Sequence, residues 1–213
     1  GFAVDAEWLD NLALTTQVVV KSSALNWQHG RVLYSSLRAL MATNAHRTIR
    51  CFETGTARGF SSVVMARAGF DAAQAIHIVT VDVLPHNVAM YWNCIHDSQG
   101  KRTRRELLEP WAKELESITF VQFPTSSFIK RVDVGRINFA FLDADHRFEN
   151  VAREFEYVAE RQGKGDIVVL DDVTPQQFPG IERLVRKIEF DRVYEVTRIA
   201  SSSDRGYAIC RHL

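Results

Sequence analysis

Four carboxylates and a histidine are spaced along this sequence so that a parallel sheet would bring them together. The run Phe141-Leu142-Asp143-Ala144-Asp145-His146 is followed, 28 residues beyond Asp143, by Leu170-Asp171-Asp172-Val173. Each set ends a short apolar run, so each lies at the carboxyl end of a candidate strand, the edge where open parallel sheets bind ligands. Carboxylates gathered there repel one another unless protons or a cation relieve them. A hard divalent ion held by oxygen ligands would do so, and Mg²⁺ keeps sites for water or a substrate oxygen as well. The plainer alternative is that the acids cap helices or meet basic side chains. Strand alternation sends Asp171 and Asp172 to opposite faces, so joint ligation requires the chain to turn there. Carboxylates favour the imidazolium form of His146, which can work as a base near neutral pH; the alternative is a histidine packed at a helix start.

A second constellation precedes this one. An apolar run leads into Glu53-Thr54-Gly55-Thr56-Ala57-Arg58-Gly59-Phe60-Ser61-Ser62, and a helical stretch follows. Glycines at a strand-to-helix turn let backbone amides approach a ligand at the positive end of the helix. The glycines are four apart, unlike the G-x-G-x-x-G of a dinucleotide fingerprint. The next strand ends in Asp82, 29 residues after Glu53, where a ribose with two free hydroxyls needs a bidentate acceptor. The basic run Lys101–Arg105 reads as the solvated start of a helix, with an anion contact as the minority reading.

The elements that must position these groups alternate. Apolar runs at Ile49–Phe52, Ile76–Val81, Ile118–Phe123, Ile137–Leu142 and Ile167–Leu170 are continuous, as strands buried on both faces should be. Helix-period stripes lie between and around them: Val32, Leu33, Leu37, Leu40 and Met41; Phe148, Val151, Phe155 and Val158; Ile181, Leu184, Val185 and Ile188. Thr103 and Glu106 form a capping-box pattern that predicts a helix through Leu115. Val193–Ile199 and Tyr207–Cys210 are joined by a loop too short for a crossover helix, so the last strand should run antiparallel. The expected fold is α/β, a Rossmann-like three-layer sandwich with a seven-stranded, mostly parallel sheet and a reversed seventh strand.

The chain has 213 residues, 26 Lys plus Arg and 26 Asp plus Glu, for a formal charge of zero. That balance offers no electrostatic footprint for nucleic acid or anionic membranes. Cys51, Cys94 and Cys210 have no metal spacing and are odd in number, which points to free thiols in a reducing, cytoplasmic setting. No apolar run approaches the roughly 18–20 residues of a membrane span, and the N-terminus has no basic-then-apolar signal pattern.

From Asn26 to Leu213 the sequence resembles a class I S-adenosylmethionine-dependent methyltransferase: Glu53-x-Gly55-x-Ala57-x-Gly59 is similar to the first motif, Asp82 to the second-strand acid, and the final hairpin to the reversed seventh strand. Within the class it is similar to the metal-dependent small-molecule O-methyltransferases of catechol, caffeoyl-thioester and macrolide-sugar type. The resemblance implies cofactor contacts at Glu53, Gly55, Thr56, Ala57, Gly59, Ser61, Asp82, Thr125, Ser126 and Asp143. It implies metal ligands Asp143, Asp171 and Asp172 for Mg²⁺ or Mn²⁺, and a general base at His146, where the catechol branch has lysine and the macrolide-sugar branch histidine. The segment Asn26–Gly30 would close over the methionine part. Residues 1–44 would then be a helical segment packed on a methyltransferase domain of 45–213. Ala57 departs from a common glycine, which requires a negative φ; Asp172 stands where the catechol branch has Asn; Phe123-Pro124 stands where many relatives have glycine.

The implied activity is methyl transfer to a hydroxyl oxygen of a small molecule, with neither nucleic acid nor membrane as partner; a homodimer is compatible with it. Two alternatives stay open: a cofactor-binding module without catalysis that serves interaction or regulation, and a NAD-type oxidoreductase on a similar sheet. Substrate walls are expected at Leu84–Gly100 and Pro175–Gly180.

Overall fold

The computed structural model describes residues 1–20, 27–44, 47–200 and 205–213. Apolar runs without alternation are stable only when both faces are covered, and that is how they fold. Strands β1 (Ile49–Thr54), β2 (Ile76–Asp82), β3 (Ile118–Gln122), β4 (Phe139–Leu142), β5 (Ile167–Leu170), β6 (Tyr194–Ala200) and β7 (Gly206–His212) form one sheet in the order β3-β2-β1-β4-β5-β7-β6. β7 runs antiparallel to β5 and β6, and the other pairings are parallel. The Rossmann-like sheet with a reversed seventh strand is therefore as the sequence predicts.

The helices are α1 (Ala6–Thr16), α2 (Gln28–Thr43), α3 (Phe60–Ala72), α4 (Arg104–Leu107), α5 (Ala112–Leu115), α6 (Thr125–Phe128), α7 (Phe148–Ala159) and α8 (Pro179–Asp191). Side chains of each strand alternate between two cores. Phe139, Phe141, Ile167 and Val169 join α1, α2 and α3 on one face; Ala140, Leu142, Val168 and Leu170 join α7 and α8 on the other. On α2, Leu33, Leu37 and Leu40 recur at helical spacing and are at most 1% exposed. Each such leucine contributes about 1.5–3 kcal/mol by burial, and Leu37→Ala would cost roughly 2–5 kcal/mol. Among the described residues no helix is long and apolar enough to cross a membrane.

The helix expected from Thr103 to Leu115 is broken. The capping box forms, with the Glu106 amide donating to Thr103 Oγ1 at 3.1 Å and the Thr103 amide to Glu106 Oε2 at 2.7 Å. Pro110 then lacks the amide a continuous helix needs, and a 3-10 turn, Glu109–Trp111, separates α4 from α5. The three cysteines are buried and free.

Candidate active site

The strand order reverses between β1 and β4, which leaves a crevice at their carboxyl ends. Gly55 and Asp143 lie there, and their backbones touch: a Cβ on Gly55 would sit 2.4 Å from the Asp143 carbonyl oxygen, and its φ is +88°. Only glycine lets these strand ends approach so closely. Two cavities open from this point. One, of about 390 Å³, is lined by Asp82, Thr125, Ser126, Asp145 and Glu154; the other, of about 210 Å³, by Trp27, His29, Phe60, Ser61 and Arg205. Gly55, Ala57 and Asp143 line both.

Alternation along β1 explains what supports the crevice. Glu53 faces α3, is fully buried, and accepts hydrogen bonds from Ser61, Ser62 and Thr80. Burial pushes its carboxyl pKa up, against those bonds and the Arg104 charge. Glu53 lines neither cavity, so the residue expected at the cofactor instead clasps the loop from below. Thr54 faces the opposite way and donates to Glu154 Oε2 at 2.7 Å. Glu154 is 3% exposed and desolvation raises its pKa to about 7.

Ala57 is a correction. Its φ is +46°, left-handed rather than negative. That conformation costs an L-residue about 1–2 kcal/mol, and the loop's bonds offset it. The Ala57 amide donates to Asp82 Oδ2 at 2.6 Å, and its carbonyl accepts from Arg104 Nε at 2.9 Å. Asp82 Oδ1 also accepts from the Leu84 amide at 2.8 Å, so this acid holds the loop as well as lining the larger cavity. Arg104, read from the sequence as solvated, is 2% exposed, with its guanidinium over the rings of Trp92 and Phe120. Gly59 caps α3 with φ +92° and lines neither cavity, while Thr56 lines the smaller one and pairs its hydroxyl with Thr80 at 2.5 Å. Trp27 and His29 reach the smaller cavity; Asn26 lies outside the described residues. Of the expected substrate walls, Pro175, Gln176 and Gln177 of the Pro175–Gly180 stretch border a further cavity, whereas Leu84, Met90, Trp92 and Cys94 pack into a small core of their own.

The acids at the ends of β4 and β5 do converge, with one exchange. Ligand atoms of Asp143, His146 and Asp172 lie within 4.8 Å of one another. Asp171 is not in this group: it is 3% exposed, and its Oδ1 accepts from the Asp172 amide at 2.7 Å. The chain turns at Asp172, whose φ is +55°, and this brings Asp172 rather than Asp171 to the histidine. His146 Nε2 lies 2.9 Å from Asp172 Oδ2, and its ring stacks on Phe178 at 4.2 Å. The Asp172 hydrogen bond raises the His146 pKa above its ordinary value, against burial. Burial, then Asp171 and Asp172, raise the Asp143 carboxyl well above the usual range, and burial with Asp172 raises Asp171. Asp145 points elsewhere and is held low by Arg147. Arg205, at the start of β7, reaches Asp172 Oδ1 at 3.3 Å.

No curated protein shows significant similarity to this chain. Solved structures do, in shape. TomG from Streptomyces achromogenes, an O-methyltransferase involved in tomaymycin synthesis and solved with SAM, superposes with a TM-score of 0.67 at 16% identity, covering 99% of this chain and 92% of its own. An O-methyltransferase from Bacillus cereus solved with SAH gives 0.66 at 15% identity, covering 98% and 92%. Cofactor-bound Rv0187 from MTB gives 0.69 at 19% identity, covering 98% and 90%. At these identities the likeness is one of fold. The family described as Methyltransferase domain matches residues 52–173, more than half the sequence, from within β1 to just past β5. The chain belongs to that methyltransferase family.

Proposed function

We propose that this chain is an S-adenosylmethionine-dependent O-methyltransferase that methylates a hydroxyl of a small molecule with the help of a divalent metal ion. The observation that carries the reading is the meeting of the two crevice cavities at Gly55 and Asp143, beside His146 and Asp172. Asp82, Thr125 and Ser126 would hold the nucleoside half, and Ser61, Trp27 and His29 would border the amino-acid half. The donor set fits a divalent ion. Two carboxylates and an imidazole nitrogen lie within reach of one centre, and buried Asp172 Oδ1 has no hydrogen bond among the described residues, only the 3.3 Å ion pair with Arg205. Mg²⁺ or Mn²⁺ suits such oxygen-rich ligands, with Mn²⁺ more tolerant of the nitrogen. Bound there, the sulfonium supplies an electrophilic methyl group and the ion supplies Lewis acidity toward the acceptor oxygen.

The chain's own residues do the rest. Asp143 and Asp172 would hold the ion, and the like charge of Asp171 behind them favours a cation at the same point. His146 donates through Nε2 to the Asp172 carboxylate, which leaves Nδ1 as the nitrogen to take a proton and keeps Nε2 from ligating the ion. Its side chain is 36% exposed, more open than that of Asp172 at 7%, which supports the role of base for the acceptor proton. Phe178 and Asp172 fix the ring for that transfer. Zero formal charge supports a small-molecule acceptor over a nucleic acid.

A metal-free reading has one observation in its favour: Asp172 already contacts two basic side chains, His146 and Arg205. In that reading the His146–Asp172 pair works alone. Methyl transfer from labelled S-adenosylmethionine to a panel of hydroxylated molecules, with Mg²⁺ and with EDTA, tests both. Turnover abolished by EDTA and restored by Mg²⁺ is expected; undiminished turnover in EDTA leaves the pair, and no S-adenosylhomocysteine binding by calorimetry sinks the whole proposal.

A further inference from the structure

A third cavity, of about 540 Å³, lies at the carboxyl end of β5 between residues 173–177 and the strands β6 and β7. That volume suits a small organic molecule. Arg205 lines it and also lines the cavity that contains Gly55, Phe60 and Asp143, so one residue borders both spaces. Its position is fixed by its neighbour: Gly206 approaches the end of β5 so closely that a Cβ there would lie 2.3 Å from the Val173 carbonyl oxygen. The Val173 amide donates to the Gly206 carbonyl at 2.8 Å.

Arg205 is only partly committed. Nη1 contacts Asp172 Oδ1 at 3.3 Å, and no acceptor among the described residues meets its Nε or Nη2. The other guanidinium of this cavity, Arg198, is fully engaged by Glu182 and Glu189 at 2.7–3.0 Å. Thr174 lines the cavity at 8% exposure, and its buried Oγ1 has no hydrogen-bond partner among the described residues. A buried hydroxyl without a partner costs free energy that a ligand atom would recover.

We propose that this cavity is the acceptor subsite and that the acceptor is a hydroxy acid, whose carboxylate is held by Arg205 with Thr174 as a second donor while its hydroxyl reaches past Arg205 toward the crevice that contains Gly55 and Asp143. The inference rests on the reading of the chain as an O-methyltransferase. The planar guanidinium offers two donors on an edge away from Asp172, which matches a carboxylate. One partly committed guanidinium accommodates one monoanion; a phosphate dianion would need a second, and Arg198 is occupied.

The test is calorimetry on the protein loaded with S-adenosylhomocysteine, titrated with 4-hydroxybenzoate, 3,4-dihydroxybenzoate and 4-hydroxyphenylacetate, each beside its primary amide. At least one acid should bind about 10-fold or more tightly than its amide, since a charge-assisted pair is lost in the amide. Arg205→Gln should bring acid and amide within about 2-fold, Thr174→Val should weaken both, and Arg198→Gln should leave the ratio unchanged. Thermal melts of each variant exclude misfolding as the cause. Equal affinity for acid and amide, a preference that survives Arg205→Gln, or binding of none of the acids overturns the inference. An Arg205-dependent preference without methyl transfer would leave the carboxylate site standing and count against the O-methyltransferase reading.

Discussion

Nε2 of His146 lies 2.9 Å from Oδ2 of Asp172, a residue 26 positions away that reaches it only because the chain adopts a left-handed turn at the end of β5. The hydrogen bond favours the imidazolium, so the free base of His146 fills only as pH rises above the ordinary histidine range.

The first prediction follows directly. The rate of methyl transfer should climb with pH through and above 6.5 and then level off. His146→Ala should reduce kcat by about 10²–10⁴-fold while calorimetry shows S-adenosylhomocysteine affinity little changed. A pH profile that is flat from about 5 to 9 in the native enzyme would remove His146 from the proton transfer.

Metal binding can be read without turnover. Mn²⁺ should bind the native chain in a paramagnetic-resonance titration, and Asp143→Asn or Asp172→Asn should abolish the bound signal. Asp171→Asn should weaken it less, because Asp171 contributes charge rather than a ligand atom to the group. Loss of the signal in Asp171→Asn as well would restore the ligand set implied by the sequence resemblance.

Asp82 carries two roles, and its removal should register in both. Asp82→Ala should weaken S-adenosylhomocysteine binding by about 1.5–3 kcal/mol and lower Tm, because the Ala57 and Leu84 amides lose their acceptor. Unchanged affinity with a lowered Tm would assign Asp82 to the loop alone.

Glu154 makes stability depend on pH. Its pKa is raised by burial from 4.5 to about 7, so the folded state holds a proton that the unfolded state releases between those values. Stability should be greatest below pH 4.5 as far as this group is concerned and should fall through pH 7, by about 3 kcal/mol at roughly 1.4 kcal/mol per pH unit. Glu154→Gln should flatten that part of the denaturation profile. If urea midpoints of the native chain and the Glu154→Gln variant run parallel from about pH 5 to 8, burial is not setting this pKa.

Gly55→Ala and Ala57→Gly should act in opposite directions. The first adds a Cβ against the Asp143 carbonyl at positive φ and should cost several kcal/mol with loss of cofactor affinity. The second relieves a left-handed alanine and should stabilise by up to about 1 kcal/mol. Guanidinium melts of both variants check the signs.

The sheet was legible because its signal is local. Continuous apolar runs, a short last connection and a capping box report on neighbours in sequence, and the strands fell within about two residues of their expected places. The break at Pro110 was visible in principle, since proline in a helix interior removes a donor. What escaped depends on backbone angles and on partners far apart in the chain. The exchange of Asp171 for His146 hinges on φ at one residue. Burial of Arg104 depends on the rings of Trp92 and Phe120 closing over it, and a basic run by itself reads as solvated. Glu53 looked like a ligand contact because its spacing to Gly55 fits the motif; that it is satisfied by Ser61, Ser62 and Thr80 is a three-dimensional fact. Arg205 carried no sequence signal at all.

The buried Arg104 has a kinetic consequence. Its guanidinium joins the Ala57 carbonyl to that of Leu84, so the first loop and the tip of β2 are tied together by the protein alone. A ligand arriving at Gly55 and Asp82 meets a surface already in its final shape and need not order a loop as it binds. Association should therefore proceed in a single phase at a rate set by diffusion and orientation, and affinity differences among ligands of this crevice should reside in how slowly they leave.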